Sequence, residues 1–393
     1  MRTNIACLIT VVTLASVAHA DRQLKEYDSD INYDETKIPH YDLPPLLVTA
    51  EGDKVTTPDQ WRTVRRPQIV SLFSNLVYGR VPEPEFPVQT QFEVVNRNEQ
   101  FLGGKGTRKE VRIQFENEQG EALISMQVIT PNDAEKPVPA FMKLGSGPAE
   151  MFLDRGYAVV FISHSRFVGH NEVSFENSIH RLFFRQGQSF PKAREWGVLS
   201  AIAWGHSRVL DYLETDDDID ATRVAIMGHS KNGKAALWTA AQDERFALAI
   251  SAQSGCAGAA LWRRRSGETL QKMVTRFPYW LCRNAWKFVN QEDDLPVDQH
   301  MLLALIAPRP VYVASGIEDT WADPRGEHAS AVHASEVYRL LGKTGLDSAG
   351  LPPLGEAILD SDVGFHIREG GHSVEEYDWQ RFLDFCDRHL KVK

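Results

Sequence analysis

The sequence has few of the features that mark several large classes of protein. It contains four cysteines in 393 residues, and its longest run of basic residues is only Arg263-Arg264-Arg265. So few cysteines exclude a fold that depends on a dense disulfide framework. The net charge of −10 and the lack of a polybasic run argue against nucleic acid as a partner, because binding it requires cations that neutralise phosphates. The composition, 42% hydrophobic and 24% charged, is that of a folded globular protein.

Residues 1–20 have the pattern of a secretory signal peptide. One basic residue, Arg2, precedes an apolar stretch over residues 5–17, and Ala18-His19-Ala20 supplies small residues before Asp21. The stretch is shorter than the roughly 18 clean apolar residues that a membrane-spanning helix needs, so we expect no membrane anchor. The sequence therefore predicts an exported protein, either periplasmic or secreted.

Removal of this leader leaves three cysteines, and an odd number allows at most one internal disulfide. Cys256 with Cys282 is the more plausible pair. Cys386 falls on the apolar stripe of a predicted helix, so we interpret it as a buried thiol.

The chain changes character along its length. Residues 21–100 are interpreted as an N-terminal leader and peripheral segment, and residues 101–393 as the main domain. Alternating apolar residues predict an antiparallel hairpin over 108–130, with its turn at 117–120. Beyond it, short apolar runs alternate with helical patterns, and the runs lie at 138–144, 157–162, 223–227, 248–251 and 311–315. This alternation predicts an α/β fold, with a mainly parallel twisted sheet between two layers of helices.

Two stretches, 165–191 and 256–296, fit neither pattern and are rich in aromatic and charged residues. Insertions between the units of an α/β core are where a substrate pocket is usually built. We therefore expect these stretches to form the pocket.

The run Gly228-His229-Ser230-Lys231-Asn232-Gly233 lies between a predicted strand and a predicted helix. A serine on such a sharp turn is typical of the nucleophile of an α/β-hydrolase, and the neighbours two places away must then be small or tolerate unusual backbone angles. Gly228 meets this demand, and Asn232 is expected to tolerate the angles. The alternative role for Ser230, a simple helix cap, is less favoured by this context.

A serine nucleophile needs a base, and the base needs an acid to orient it. His372 follows two glycines just before the last helix and is the predicted base, whereas His366 lies inside a predicted strand. Asp319, after the strand at 311–315, is the predicted acid, with Glu318 as second choice. In an α/β-hydrolase the acid can also lie in the loop after the strand at 248–251. That loop has Gln253 and no carboxylate, and a glutamine cannot neutralise an imidazolium.

These residues together resemble the glucuronoyl esterases, carbohydrate esterase family 15, and the bacterial branch more than the fungal one. The likeness covers most of the chain after about residue 100 and is strongest in GHSKNGKAALW, SGCAGAALWRRRSGET and EDTWADPRGE. It implies an α/β-hydrolase that cleaves esters between the glucuronic acid groups of xylan and lignin alcohols, without a metal or cofactor. The nucleophile, base and acid would be Ser230, His372 and Asp319.

The resemblance also implies roles in substrate binding. Lys234 would bind sugar hydroxyls, Glu268 would hydrogen-bond the uronate, and Trp321 would cover the sugar. The family usually has arginine after the serine, where it donates to the oxyanion, and this chain has Lys231, a flexible point donor. A different carbohydrate esterase, acting on acetyl xylan or feruloyl esters, is the alternative function, and an inactive hydrolase fold is a third. We expect a monomer.

Overall fold

The computed structural model describes residues 31–163, 167–168, 172–347 and 350–391. The predicted signal peptide lies outside them. In the described part no helix is long and apolar enough to cross a membrane.

A single ten-stranded sheet organises the fold. In chain order the strands are β1 (Gln89–Phe101), β2 (Gly106–Asn117), β3 (Gly120–Pro131), β4 (Val138–Leu144), β5 (Ala158–Ser163), β6 (Ile219–His229), β7 (Leu248–Ala252), β8 (Val311–Gly316), β9 (Ala357–Ile358) and β10 (Val363–Arg368). Their spatial order is β1-β2-β3-β5-β4-β6-β7-β8-β10-β9. The six strands from β5 to β10 in that order run parallel, while β1, β2 and β3 form an antiparallel meander at one edge.

Helices occupy the connections between strands. The α-helices are α1 (Pro58–Gln60), α2 (Arg66–Leu76), α3 (Ala149–Leu153), α4 (Val198–Leu213), α5 (Lys231–Gln242), α6 (Leu270–Arg276), α7 (Gln299–Ala304), α8 (Pro324–Leu340) and α9 (Glu376–Leu390). A π-helix, Trp61–Arg65, joins α1 to α2. Short 3-10 helices lie at Glu35–Lys37, Leu102–Gly104, Glu172–Asn177, Ile179–Phe183, Trp262–Arg264, Arg283–Phe288, Glu292–Asp294 and Thr320–Ala322.

Alternate residues of the central strands pack against helices on opposite faces of the sheet. Phe141 and Ile250 face a core completed by α3 and α9, whereas Met142 and Ala249 face a larger core that includes residues of α4, α5 and α8. Parallel strands buried on both faces are the arrangement that crossover helices produce. The predicted mainly parallel sheet between two helical layers is confirmed, and so is the predicted hairpin, as β2 and β3.

The N-terminal segment is attached to the rest of the chain. The predicted division at residue 100 falls inside β1, which pairs with β2 at the edge of the sheet. Further upstream, Glu35 accepts hydrogen bonds from the Arg264 guanidinium at 2.8 and 3.0 Å. The peripheral segment therefore contributes a strand, and also an exposed carboxylate that pairs with the buried Arg264 of the main domain.

Cys256 and Cys282, the more plausible pair if the chain forms a disulfide, do not form one. Both residues are buried free thiols in the structure. Cys282 directs its sulfur to the backbone oxygen of Asn75, 3.9 Å away, at the end of α2. Burial raises the pKa of both thiols, so neither is poised to form a thiolate. Cys386 is fully buried in α9, as predicted.

Candidate active site

Ser230 occupies the sharp turn between β6 and α5. Its backbone has φ 57° and ψ −127°, outside the regions that most residues adopt. The turn requires glycine at position 228, because a Cβ there would lie 1.9 Å from the backbone oxygen of Asn232. Asn232 was expected to adopt unusual backbone angles, and this expectation is wrong. The residue lies within α5 and has no positive φ. The strain is concentrated at Ser230 itself.

The carboxyl ends of β6, β7, β8 and β10 meet at one edge of the sheet because these strands are parallel. The loop after β8 carries Asp319, and the loop after β10 carries His372. Two backbone hydrogen bonds join these loops, from Ile317 N to Arg368 O at 2.9 Å and from Glu318 N to Gly370 O at 3.1 Å. The loops therefore hold each other in place beside Ser230.

His372 and Asp319 form a short, direct hydrogen bond. His372 Nδ1 lies 2.7 Å from Asp319 Oδ2. The Asp319 side chain is 4% exposed, while that of His372 is 42% exposed toward the pocket side. The bond to the carboxylate raises the pKa of His372. Glu318, the second choice for the acid, is exposed and has no hydrogen bond to His372 in the described residues.

His366 lies within β10 and is fully buried. Its Nε2 lies 2.7 Å from Asp378 Oδ1, and its Nδ1 lies 2.8 Å from the hydroxyl of Tyr312. Arg368 donates to the other oxygen of Asp378 and also to the backbone oxygen of Ser373. This cluster holds the two ends of the loop that carries His372, and none of its residues lines the pocket.

Gln253 hydrogen-bonds the ring of His229 rather than that of His372. Its Oε1 lies 2.9 Å from His229 Nε2, and its Nε2 donates to the backbone oxygen of Gly371 at 3.0 Å. Because the amide nitrogen of Gln253 donates to Gly371, the atom that faces His229 is the amide oxygen, which can only accept. His229 must therefore carry its proton on Nε2. The rings of His229 and His372 lie 4.6 Å apart. Burial, together with the neighbouring His372, lowers the pKa of His229, which favours its neutral form.

A pocket of about 330 Å³ opens beside Ser230. Its lining includes all the predicted site residues except Lys231: Ser230, Asp319, His372, Lys234, Glu268 and Trp321. The structure thus brings together residues from four loops and one helix that are up to 142 positions apart in the sequence.

The floor of the pocket is a buried ion pair between Lys234 and Glu268. Lys234 Nζ donates to Glu268 Oε2 at 3.2 Å and to the backbone oxygens of Ser254 and Cys256 at 2.6 and 2.5 Å. These three bonds use all three protons of the ammonium group. Glu268 keeps a second oxygen, Oε1, with no partner in the described residues, so it can accept a hydrogen bond from a ligand.

One wall of the pocket is a stack of aromatic rings and a guanidinium group. Phe277 and Trp280 are parallel, with centroids 3.8 Å apart. The Arg276 guanidinium lies 5.5 Å from the Phe277 centroid and 5.9 Å from that of Trp321. Sequence reasoning missed these three lining residues individually. Their only signal was the aromatic content of the insertion at 256–296.

Lys231 lies next to this wall and outside the lining itself. Its Nζ is 5.9 Å from the centroid of Trp280. No carboxylate lies within 4 Å of it in the described part of the chain. Burial lowers its pKa. The Lys231 side chain is therefore partly buried and has no carboxylate partner among the described residues.

The described residues contain no group of three or more His, Cys, Asp or Glu side chains placed to hold a metal ion. The chemistry available in the pocket is that of a serine, a histidine and a buried carboxylate.

Comparisons with known proteins point to one family. A family model described as glucuronyl esterase, fungi, matches residues 113–342. The chain is 36% identical over 430 aligned positions to a carbohydrate esterase, MZ0003, from an unknown prokaryotic organism, with 98% of each chain covered. It is 29% identical to the 4-O-methyl-glucuronoyl methylesterase of Thermothelomyces thermophilus, over 76% of this chain and 72% of that protein.

The solved structures include a glucuronoyl esterase from Solibacter usitatus, with a TM-score of 0.86 and 38% identity. The match covers 91% of this chain and all of that one. This match, together with the family match across the Ser230 turn, the insertion at 256–296 and the loop after β8, identifies the α/β-hydrolase fold. The chain belongs to the glucuronoyl esterase family, carbohydrate esterase family 15 of the bacterial type, and is a carboxylic ester hydrolase.

Proposed function

We propose that this enzyme cleaves the ester between (4-O-methyl-)glucuronic acid side groups of xylan and lignin alcohols, through an acyl-enzyme on Ser230. The observation that carries the proposal is the hydrogen bond between His372 and the buried Asp319, in the same pocket as Ser230 and the charged floor. A serine with an oriented base can attack an ester carbonyl, and a charged floor suits a polar acyl group.

The chemistry follows from the atoms that are free to react. Because Nδ1 of His372 is bonded to Asp319, Nε2 is the atom that accepts the proton of Ser230 as its oxygen attacks the carbonyl carbon. The carbonyl oxygen becomes an oxyanion. As the intermediate collapses, the ester bond breaks and the alcohol leaves with the proton from His372. Water, deprotonated by the same Nε2, then releases the uronic acid and restores Ser230.

Substrate recognition is assigned to Glu268, Lys234 and Trp321. The free oxygen of Glu268 accepts from a sugar hydroxyl, and Lys234 fixes the orientation of that carboxylate. Trp321 offers an aromatic face for the pyranose ring. The relative from Thermothelomyces thermophilus is named a 4-O-methyl-glucuronoyl methylesterase. Feruloyl ester hydrolysis is less well supported, because a cinnamate group needs an apolar slot and this floor is a buried ion pair.

Export is part of the proposal and depends on the leader at residues 1–20. We place the enzyme in the periplasm or outside the cell as a monomer, where plant polysaccharide is accessible. Esterase activity in culture fluid or periplasmic extract, measured against the cytoplasm, tests this.

Ser230→Ala should abolish hydrolysis of benzyl glucuronate, with turnover reduced by about 10⁴-fold or more, because triad members act as a unit. Wild-type enzyme should prefer benzyl glucuronate to an acetylated xylan. The measurement is initial rates on both substrates at equal enzyme concentration. Turnover by Ser230→Ala close to that of the wild type would move the nucleophile elsewhere. Preference for acetylated xylan would favour the alternative esterase.

Asp319→Asn should lower turnover by about 10³- to 10⁴-fold, whereas Gln253→Ala should cost much less, since only the first change removes the charge beside His372. The pH profile should also change. Neutral His372 is the active base, so activity rises as pH passes its pKa. Loss of the Asp319 carboxylate removes the contact that raises this pKa, and the rising limb should move to lower pH. An unmoved limb, or the reverse ranking of the two variants, would contradict Asp319 as the acid.

Glu268→Gln should reduce kcat/KM for benzyl glucuronate by about 10- to 100-fold, as expected for loss of a hydrogen bond to a charged group. Hydrolysis of phenyl acetate, which has no sugar hydroxyls, should be affected far less. Glu318→Gln, an exposed carboxylate on the neighbouring loop, is the matched control. Equal losses on both esters would show that Glu268 supports the fold of the pocket and does not recognise the sugar.

Lys231→Ala should lower turnover by about 10- to 1,000-fold, the range for loss of one preorganised oxyanion donor, with a smaller effect on KM. Lys231→Arg, which introduces the family residue, should retain or raise turnover. An alanine variant with unchanged turnover would assign the oxyanion to backbone amides alone.

A further inference from the structure

A surface beside the pocket carries an excess of positive charge in an acidic protein. Residues 178–194 and 270–291 contain no aspartate or glutamate, although the chain as a whole has a net charge of −10. Five cations from these two segments define the surface, which we call the cationic strip: Lys192, Arg194, Arg276, Arg283 and Lys287. All five are exposed.

The cations of the strip are unpaired. In the described part of the chain, none of the five has a carboxylate within 4 Å, in contrast to most arginines elsewhere, such as Arg245 with its three carboxylate partners. The nearest acidic residue in sequence, Glu195, is already engaged: its Oε2 accepts from the side chain of Gln188 at 2.6 Å and from the backbone of Lys192 at 2.8 Å. The strip is therefore a local concentration of charge that the fold itself does not neutralise.

The two segments form one continuous surface. Asn284 N donates to the backbone oxygen of Ala193 at 3.0 Å, which sets the two segments side by side. The Arg283 guanidinium lies between two aromatic rings, 5.7 Å from the centroid of Phe190 and 5.6 Å from that of Trp286. Trp286 is 37% exposed, which is unusual for so large an apolar side chain.

The strip begins at the pocket. Arg276 lines the pocket, together with Phe277 and Trp280, and the chain runs directly from there to Arg283 and Trp286. A long ligand whose reacting group lies at Ser230 can therefore extend from the pocket along this segment toward the strip.

We propose that the cationic strip binds the polymeric part of an acidic polysaccharide through free uronate carboxylates, with a pyranose ring stacked on Trp286. This inference depends on the proposed function for the identity of the polymer, a xylan with several glucuronate side groups. Only some of those groups are esterified, and the others carry the negative charge that the strip complements. The strip is thus a second binding region, which begins at Arg276 in the pocket wall and extends beyond the pocket that holds the reacting ester.

The chemistry of the strip favours a polysaccharide over a nucleic acid. Nucleic acid has one charge per nucleotide, and its binding depends on the number of phosphates that a protein neutralises. Five separated cations on a protein of net charge −10 match an intermittently charged chain better. An exposed indole held by an arginine presents a flat apolar face, which suits the C–H face of a sugar ring.

Binding can be measured without catalysis. The Ser230→Ala variant should bind saponified glucuronoxylan, which has free uronates, at least 10-fold more tightly than xylan from which the uronates have been removed, by titration calorimetry at low salt. The difference should shrink as sodium chloride is raised from about 20 to 300 mM, because exposed charges are screened. Adding Arg283→Ala and Lys287→Ala should weaken binding to the acidic polymer by about 10-fold, and Trp286→Ala should weaken binding to both polymers.

The matched control removes the same charge elsewhere. Lys54→Ala with Arg62→Ala takes away two exposed, unpaired cations outside the strip, and it should leave polymer affinity unchanged. In the catalytically intact background, the strip variants should lose more kcat/KM on the esterified polymer than on benzyl glucuronate. Equal affinity for acidic and neutral xylan, equal effects of the strip and control variants, or equally tight binding to DNA would each overturn the proposal. Absence of activity on benzyl glucuronate would instead refute the proposed function. The binding measurements could still be interpreted, because they do not depend on catalysis.

Discussion

The close approach of two backbone segments at Gly228 is the constraint on which the site depends. No side chain fits at this position, because the backbone oxygen of Asn232 lies where a Cβ would be. The resulting turn holds Ser230 at a positive φ, with its amide bonded to the backbone oxygen of Ala252 at the end of β7. The serine is therefore held above the sheet edge in a strained backbone conformation. The packing of the buried central strands on either side stabilises this conformation.

The other reacting groups are held by contacts between loops. The loop after β8 carries Asp319, the proposed acid, and donates two backbone hydrogen bonds to the end of β10 and the segment after it, which carries His372, the proposed base. Gln253 adds a third connection, since its amide joins Gly371, next to His372, to His229, next to Ser230. This position could have held a carboxylate. The glutamine amide both accepts from His229 and donates to Gly371, whereas an ionised carboxylate has no donor and could not make both bonds.

The pocket combines two kinds of surface. Its floor is charged and buried, with Lys234 fully satisfied and Glu268 left with one free oxygen. Its wall is a stack of Phe277, Trp280 and Arg276, which continues toward exposed aromatic and cationic side chains. In the proposed reaction a polar acyl group lies on the floor and a partly charged polymer extends along the wall, so the proposed chemistry and polymer binding occupy adjacent surfaces.

The sequence by itself determined the order of strands and helices, the serine turn, and the residues proposed as base and acid, because local periodicity and short motifs record these features directly. Only the tertiary structure decided that Cys256 and Cys282 remain apart, that Gln253 serves His229, and that Arg276 and Trp280 reach the pocket. Each of these depends on where irregular segments fold back on the core. Their positions are set by long-range packing and hydrogen bonds between distant residues, and no local pattern in the sequence encodes such contacts.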